Sequence, residues 1–392
     1  MLKILILYNY NYMDLNKSQI YVNGPINFFR LKNNNNKDIY LFSDIHKDLN
    51  NQTECDEINS INIDKFFLNF FKNNKKQVDF MLETYKDYQN NCESQIYLVK
   101  LRKMFNSFYK KNPYYENLRI HYLDIRNYKY LEQIHQNSYY LIDYLKSNNI
   151  YKFKTINEKL DTIKFYLNKI MDYYVNNLDK SYNTDKENIF ENLLDKIMNK
   201  YNNIDNKQKI NKFLETNFYK KIKYTNELIT NLKTKINEYS INIENSNKKD
   251  KYVVCNKNKK DYEKYIYEYS FYNTKEYYDI KYEINNKCNE IKEQVDIIKL
   301  TIMDCYFLRR FLDKNYITKN IVYTGFIHTI EYLYFLVKHC DFKIIEMCDK
   351  NSYTIKELNN IIKNNNSIYD VINILLSKQS FKQCIKINKL FN

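Results

Sequence analysis

Four apolar segments of the chain end in polar residues that can carry out acid–base or metal chemistry. The chain contains only five histidines, and two of them stand at such ends. In chain order, the residues at the four ends are Asp44 and His46, Glu83 and Tyr85, Asp124 and Arg126, and Gly325 and His328. Two imidazoles, several carboxylates and a guanidinium are the groups of either a metal-assisted site or a general acid–base site.

The four segments are predicted to be the strands that position these residues. Each is an apolar run rich in β-forming residues (37–45, 78–84, 118–126 and 320–328). Helical patterns with apolar residues at i, i+3 and i+4 separate the first three. Strand–helix–strand spacing of this kind predicts right-handed crossovers and a parallel sheet. Because ligands of open parallel sheets sit outside the carboxyl ends of the strands, the polar residues are expected to meet at one edge.

A large helical insertion is predicted between the third and fourth strands. From 127 to 317 the apolar residues keep the 3–4 spacing of helices, with a polar break at 244–261 that is expected to be a loop. A strand, a helix, a strand and two short helices follow. The predicted fold class is therefore α/β, with a mostly parallel sheet flanked by helices. Its α/β domain (1–126 and 318–392) is interrupted by the all-helical insertion.

The histidines and the glutamate are expected to carry the chemistry. His46 and His328 would bind a divalent metal or activate water directly, and Glu83 would act as the general base or as a third ligand. Imidazole and carboxylate together suit transition metals better than Ca or Mg alone. The expected cofactor is Mn, Zn or Co. A structural alternative is that Glu83 and Arg126 simply form a buried ion pair.

The remaining candidates are expected to support that chemistry. Asp44 would orient His46 or share the ion, although it can also cap the following turn. Arg126 would stabilise the oxyanion of the substrate. Tyr85 and Gly325 are expected to contact the substrate. Gly325 is one of only two glycines, and glycine permits either a close backbone approach or a dihedral angle that other residues avoid.

Composition disfavours several classes of protein. The formal charge is +15, but lysine supplies nearly all of it and is spread among Asn and Tyr. That distribution indicates a solvated surface rather than a nucleic-acid groove. The apolar N-terminal run is too short to span a bilayer, so no membrane partner is expected. Eight cysteines without a C-x-x-C pair predict reduced thiols in an intracellular protein. The scarcity of Gly, Pro and Trp is typical of an AT-rich genome.

Five sequence blocks resemble those of a protein family from nucleocytoplasmic large DNA viruses. The blocks are YLFSDIH, DFMLETY, HYLDIR, MDCYFLRRF and IVYTGFIHTIEYL, and NGPINFFRL resembles the lead-in segment of the same family. The resemblance implies a viral protein in the host cytoplasm or the virion. That family is similar, more distantly, to the Tiki/TraB and erythromycin-esterase/ChaN-like superfamily. Members of this superfamily include metal-dependent proteases, lactone-opening esterases and haem-binding proteins.

The superfamily pattern transfers onto residues of this chain. It consists of a Gly-x-x-His at an early strand end, a Glu at the next, an Arg and a late Gly-x-x-His. The stretch SDIH matches the first motif through His46, with Ser43 in place of the glycine. LETY supplies Glu83, and GFIH supplies Gly325 and His328. The loss of the first glycine is the departure from the pattern.

The resemblance implies hydrolysis of an ester or peptide by an activated water, without naming a substrate. The arginine of the pattern stays open between Arg126 and the adjacent Arg309 and Arg310. The alternative is a non-enzymatic viral structural or host-interaction protein on a degenerate hydrolase fold, with the helical insertion as the partner-binding surface. A metallophosphoesterase, which the Asp44-x-His46 pattern suggests, is disfavoured because its Gly-Asp-x-x-Asp and Gly-Asn-His motifs are missing.

Overall fold

The structure is a computed structural model, and it describes residues 19–46, 55–56, 60–84, 97–111, 117–125, 128–147, 152–178, 189–249, 274–348, 353–365, 368–376 and 382–388. The chain divides into two compact units. The first unit combines Met1–Leu123 with Asn315–Asn392 and contains the strands. The second unit is Asp124–Lys314, and its described elements are helices.

The strands of the first unit form two sheets. In chain order they are β1 (Gln19–Asn23), β2 (Asn27–Lys32), β3 (Asp38–Asp44), β4 (Ile61–Asn62), β5 (Val78–Leu82), β6 (Leu118–Tyr122), β7 (Lys319–Gly325), β8 (Lys343–Cys348) and β9 (Cys384–Asn388). The larger sheet has the order β6–β5–β7–β3–β2–β8. Only β2 runs against its neighbours, so five of its six strands point the same way. The smaller sheet has the order β4–β1–β9.

Helices connect the strands and build the second unit. In chain order they are α1 (Ile63–Asn73), α2 (Tyr97–Lys111), α3 (Lys129–Ser147), α4 (Phe153–Asn177), α5 (Ile189–Asn199), α6 (Ile204–Leu214), α7 (Lys220–Lys249), α8 (Lys275–Asp313), α9 (Phe326–His339), α10 (Ile355–Asn364) and α11 (Ile368–Leu376). A π-helical turn, Glu215–Tyr219, joins α6 to α7. Helices α1, α2 and α9–α11 belong to the first unit, and α3–α8 belong to the second.

Aromatic packing holds α1 and α2 against the central strands of the larger sheet. Phe67 of α1 lies between Phe42 of β3 and Phe80 of β5, with ring centroids 5.2 and 5.0 Å away. The ring of Phe105 of α2 is tilted against that of Phe80, with the centroids 4.7 Å apart. All four rings are fully buried, and edge-to-face aromatic pairs of this kind stabilise a core beyond their buried area. The packing of α1 and α2 therefore holds β3 and β5, two of the strands that lead to the candidate site, in place.

The second unit is a helical bundle built around α8. Its buried residues keep the predicted 3–4 spacing over the first part of the helix: Ile280, Ile284, Cys288, Ile291, Val295, Ile298 and Ile302. This stripe packs against α3, α6 and α7. An apolar stripe of this width is what a helix buries in a bundle.

The predicted α/β fold class is confirmed. The four predicted strands correspond to β3, β5, β6 and β7, and they are mutually parallel neighbours in one sheet. β7, which follows the helical unit in the chain, pairs between β5 and β3. The strand predicted at the end of the α/β pattern is β8, which joins the same sheet through the antiparallel β2.

Three predictions differ from the structure in their boundaries. The fourth predicted strand ends at Gly325, and His328 lies in the first turn of α9. Residues 244–249 of the polar break expected at 244–261 are helical, because α7 continues to Lys249; residues 250–261 lie outside the described residues. A strand, β9, follows the two short C-terminal helices. The sequence did not predict it, because its partner β1 lies hundreds of residues away in the chain.

The prediction of reduced thiols is wrong for one pair of cysteines. Cys55 and Cys384 form a disulfide between residues 329 positions apart. Cys384 lies opposite Asn23 in the β1–β9 pairing, and the side-chain oxygen of Asn23 accepts a hydrogen bond from the backbone N–H of Cys55 at 2.8 Å. The strand pairing and this hydrogen bond bring the two thiols together, and neither can be deduced from cysteine spacing.

We expect Cys384→Ser to lower the free energy of unfolding by about 2–4 kcal/mol, because the disulfide closes a long loop in the unfolded chain. Urea denaturation with and without reductant checks this value. Reductant should lower the stability of the wild type and leave Cys384→Ser unchanged. Alkylation of both Cys55 and Cys384 in the native, unreduced protein would contradict the assignment.

Candidate functional site

The register of three parallel strands brings the predicted residues to one edge of the larger sheet. β3 pairs with β7 so that Asp44 lies beside Gly325. β5 pairs with β7 so that Leu82 lies beside Tyr323, and the backbone N–H of Glu83 donates to the carbonyl of Tyr323 at 3.1 Å. Because the three strands end at nearly the same level, the residues that follow them meet at the carboxyl edge.

A tight turn after β3 directs His46 towards its neighbours. The Oδ1 atom of Asp44 accepts hydrogen bonds from the backbone N–H groups of Ile45 at 2.7 Å and His46 at 3.1 Å. This turn places His46 at a φ of 51°, in the left-handed region that few non-glycine residues occupy. The Oδ2 atom of Asp44 lies 3.4 Å from Nδ1 of His46. Asp44 thus both caps the turn and faces the imidazole, the two roles that the sequence left open.

Glu83 lies between the two histidines. Its Oε2 atom is 3.3 Å from Nε2 of His46, and its Oε1 atom is 3.4 Å from Nε2 of His328. Oε2 also accepts a hydrogen bond from the backbone N–H of Gly325 at 2.6 Å. A carboxylate that accepts a short bond from a backbone amide is held firmly in place. The structure therefore brings together His46, Glu83 and His328, which the sequence predicted to be neighbours.

Gly325 is required for close packing and not for an unusual backbone conformation. Its φ is −61°, which any residue adopts. A Cβ atom added at this position would lie 2.9 Å from Nε2 of His46 and 3.3 Å from Oε2 of Glu83. Of the two reasons that the sequence offered for this glycine, the close approach is the correct one.

Two partners of Asp44 were not predicted from the sequence. The hydroxyl group of Tyr323 donates to Oδ2 at 3.0 Å, and the side-chain amide of Gln383 donates to Oδ1 at 3.1 Å. Tyr323 lies within an apolar strand, and Gln383 immediately precedes β9. No local sequence pattern predicts either contact, because only the pairing of distant strands brings the two residues to Asp44.

His46 is the member of the cluster that meets solvent. Its side chain is 33% exposed, whereas the side chains of Asp44, Glu83 and His328 are at most 4% exposed. A substrate that reaches this cluster from solution would therefore meet the His46 imidazole first.

The charges of the cluster stabilise one another. Burial alone would lower the pKa of His46, but hydrogen bonding and charge from Asp44 and Glu83 raise it to about 10. Burial alone would raise the pKa of Glu83, but the imidazoles of His328 and His46 hold it well below the usual range of a glutamate. At neutral pH His46 is therefore an imidazolium and Glu83 a carboxylate.

The burial of Tyr323 keeps its hydroxyl group protonated. Burial and the neighbouring Asp44 carboxylate raise the pKa of Tyr323 well above its usual value. The hydroxyl is therefore a permanent donor to Asp44, and it helps hold the carboxylate that faces His46.

The arrangement has the donor types of a metal site but not the convergence of one. The two imidazoles approach different oxygens of Glu83. Among the residues that the structure describes, no group of three or more His, Cys, Asp or Glu side chains is placed to hold one metal ion. Metal ligation by His46 and His328 stays a prediction.

Some predicted site residues cannot be placed in this cluster. Tyr85 and Arg126 lie outside the described residues. Asp124, Arg309 and Arg310 belong to the second unit. The substrate-contacting role of Tyr85 and the oxyanion role of Arg126 therefore stay predictions.

The chain belongs to a family of unknown function that has members in a giant virus. The family model described as "Family of unknown function (DUF5847)" matches residues 20–392. The chain is similar to "Uncharacterized protein R161" of Acanthamoeba polyphaga mimivirus, with 31% identity over 434 residues that cover 95% of this chain and 98% of the relative. "Uncharacterized protein R706" of the same virus is 29% identical, over 94% of this chain and 95% of the relative.

These matches support the viral resemblance at the level of a mimivirus protein family. No solved structure gives a significant match to the chain. The more distant similarity to the Tiki/TraB and erythromycin-esterase/ChaN-like superfamily stays a proposal. In the described part of the chain, no helix has the length and apolar character needed to cross a membrane.

Gly325→Ala should lower the free energy of unfolding by about 1–3 kcal/mol, because the added methyl group displaces the His46 imidazole or the Glu83 carboxylate. The imidazole resonances of His46, followed by NMR, should shift as well. Leu160→Ala is the control, since Leu160 is a fully buried residue of α4 in the second unit. That control should lose stability without moving the His46 resonances. A Gly325→Ala protein with unchanged stability and His46 resonances would rule out the close approach.

The stability of the first unit should depend on pH through His46. A folded-state pKa of about 10, above the unfolded value of about 6.5, stabilises the fold fully below pH about 6.5. This stabilisation is lost as the pH rises through about 10. Its slope is at most about 1.4 kcal/mol per pH unit, and partial exposure reduces it. Urea denaturation from pH 7 to 10 should show a steeper loss for the wild type than for His46→Gln. His135→Gln is the control, because His135 lies in α3 of the second unit, and it should show the same slope as the wild type. Equal slopes for the wild type and His46→Gln would contradict the ion pairs of His46.

Proposed function

We propose that the protein is a hydrolase of ester or peptide bonds in which His46 is the catalytic proton carrier. The observation that carries the proposal is the position of the His46 imidazole. Each of its nitrogens faces a carboxylate, of Asp44 at one side and Glu83 at the other, while a third of its surface is open to solvent. An imidazole that is oriented by buried carboxylates and is accessible to substrate is the usual form of a general acid or base.

The proposed chemistry begins with His46 as the imidazolium. Its Nε2 atom lies 3.3 Å from Glu83, which is longer than a normal N–H···O hydrogen bond, so a substrate oxygen can share that proton. As water adds to the substrate carbonyl, the imidazolium stabilises the developing oxyanion. It then donates the proton to the leaving group as the bond to that group breaks, and the neutral imidazole takes up a proton released by the attacking water.

The other members of the cluster act on His46 and not on the substrate. Glu83 and Asp44 stabilise the imidazolium and fix the direction of its nitrogens. His328 faces the second oxygen of Glu83 and keeps that carboxylate in position. A divalent metal would add a Lewis acid to the same donor set if the imidazoles moved to share it. Arg126 and Tyr85 are proposed to contact the substrate.

The superfamily pattern that the sequence suggests fits the same proposal. It contains an early histidine, a glutamate and a late Gly-x-x-His, and His46, Glu83 and the Gly325–His328 motif lie close together here. The replacement of the first pattern glycine by Ser43 does not prevent this contact. The edge where the residues meet is the one at which parallel sheets bind ligands.

A non-enzymatic role is the second candidate, and the burial of the cluster favours it. Asp44, Glu83 and His328 are almost completely enclosed, and each has partners inside the protein. A buried polar network of this kind can fix the ends of three strands without doing chemistry. The protein would then be a viral structural or host-interaction module.

Assays of the purified protein with His46 and Glu83 variants separate the two candidates. We expect hydrolysis within a library of chromogenic esters and short peptides, and a loss of at least about 100-fold in rate for His46→Gln. Glu83→Gln should have a similar effect, whereas His135→Gln, a histidine substitution in the second unit, should retain the rate. The unfolding midpoint of each variant is measured in parallel, so that a loss of folding is not counted as a loss of catalysis.

The same assay tests the cofactor. It is run after chelation and then with Mn, Zn or Co added back. A rate that returns only with one of these metals, together with stoichiometric binding that His328→Gln abolishes, would support metal ligation. Absence of hydrolysis under all of these conditions, with variants that only lower the unfolding midpoint, would favour the structural role.

A further inference from the structure

The second unit contains a cavity with an unusual concentration of positive charge. Its volume is about 450 Å³, which is within the range of small-molecule sites. Five cationic side chains line it: Lys196, Lys200, Arg309, Arg310 and Lys314. None of the described residues in its lining is acidic. The cavity therefore gathers charge in a chain whose lysines are otherwise dispersed.

Its two arginines distinguish this cavity from an ordinary lysine-rich surface. The chain has only six arginines, and two of them are adjacent here. Arg30 and Arg119, both in the first unit, form bidentate ion pairs with Asp38 and Asp79. Arg309 makes no such pair with any carboxylate in the described part of the chain. Where arginine is scarce, two planar guanidinium groups on one cavity wall indicate an anionic ligand that offers paired oxygens, such as a carboxylate or a phosphate.

Arg309 is buried without a full set of hydrogen-bond partners. It is 4% exposed, and its Nη1 atom donates to the carbonyl of Lys200 at 3.0 Å. Within the described residues its Nε atom has no hydrogen-bond partner. Burial lowers the pKa of Arg309, the charge of Arg310 lowers it further, and Tyr201, Tyr306 and Asp313 offset part of this effect. An anion that binds beside a buried guanidinium with a missing hydrogen-bond partner stabilises its charge.

Helix termini account for only part of this charge. The cavity lies at the carboxyl ends of α5 and α8, where cations are favoured by the helix dipole. The nearby carboxylate of Asp313 uses one oxygen elsewhere, because Oδ1 accepts hydrogen bonds from the backbone N–H groups of Asn202 and Asn203 at 2.8 and 2.9 Å. Its other oxygen, Oδ2, lies 3.8 Å from Nζ of Lys314. The other cations of the lining are Lys196, Lys200, Arg309 and Arg310.

We propose that this cavity binds a small molecule that carries two or more phosphate groups. Arginine forks and lysine ammonium groups together are the usual donors to phosphate oxygens. Two tyrosines, Tyr128 and Tyr306, complete the wall, and Arg310 donates to the hydroxyl of Tyr306 at 3.2 Å. Burial raises the pKa of Tyr128, so its hydroxyl stays a donor. This binding site is separate from the proposed hydrolytic site and does not depend on it.

Inorganic tripolyphosphate is the probe that tests the site. Titration calorimetry and thermal unfolding are carried out on the full chain at fixed ionic strength, with sodium chloride as the reference. We expect saturable binding and a higher unfolding midpoint for the wild type. Arg310→Gln and Lys196→Gln should each weaken binding by about tenfold or more, which corresponds to the loss of one charge-assisted contact. Arg310 is preferred to Arg309 because Arg309 also holds the Lys200 carbonyl.

Lys223→Gln is the matched control. Lys223 is an exposed lysine on α7 that does not line the cavity, so its removal lowers the net charge by the same amount. Its affinity for tripolyphosphate should stay within about twofold of the wild type. The proposal is overturned if tripolyphosphate shows no saturable binding below about 1 mM. It is also overturned if the control loses as much affinity as the cavity variants, or if a single-stranded oligonucleotide binds more tightly through the same residues.

Discussion

The burial of the Glu83 carboxylate is the constraint on which the candidate site depends. An isolated charge at this depth would cost several kcal/mol, so the surroundings must supply donors. They come from two chain segments: the imidazole of His46 from one, and the amide of Gly325 and the imidazole of His328 from the other. This requirement explains the glycine, because no side chain fits between the carboxylate and His46. It also explains why the turn after β3 accepts a left-handed residue at His46.

The fold and the core of this site could be predicted from local sequence. Buried parallel strands appear as continuous apolar runs, and the carboxyl ends of such strands share one edge. His46, Glu83 and Gly325 were found because each follows such a run directly. Gly325 was conspicuous because the chain has only two glycines. In a chain that contains so little glycine, a glycine at a strand end indicates a position where a side chain would not fit. The close packing of Gly325 against His46 gives the physical reason.

The parts that sequence could not predict depend on pairing between distant segments. Gln383 reaches Asp44, and Cys384 reaches Cys55, because β9 pairs with β1 at the other end of the chain. A five-residue strand with one long-range partner has no periodicity of its own. Tyr323 was hidden for a different reason. A tyrosine inside an apolar strand looks in the sequence like any other core residue. Only the hydrogen bond from its hydroxyl group to Asp44 shows that Tyr323 has a polar role.

The two clusters of charge differ in how their groups are compensated, and this difference bears on what each can do. In the first unit, Asp44 and Glu83 face His46 on both sides and accept further hydrogen bonds from Tyr323 and Gly325, so the cluster holds its geometry without a ligand. In the second unit, the described lining of the cavity contains five cations and no carboxylate, although Asp313 lies close to Lys314. A network in which each charge faces an opposite charge can orient a group that must transfer a proton. A group of cations with few carboxylates nearby is stabilised when it binds an anion. The same electrostatic rule thus favours catalysis or a fixed scaffold at the sheet edge and ligand capture in the helical unit.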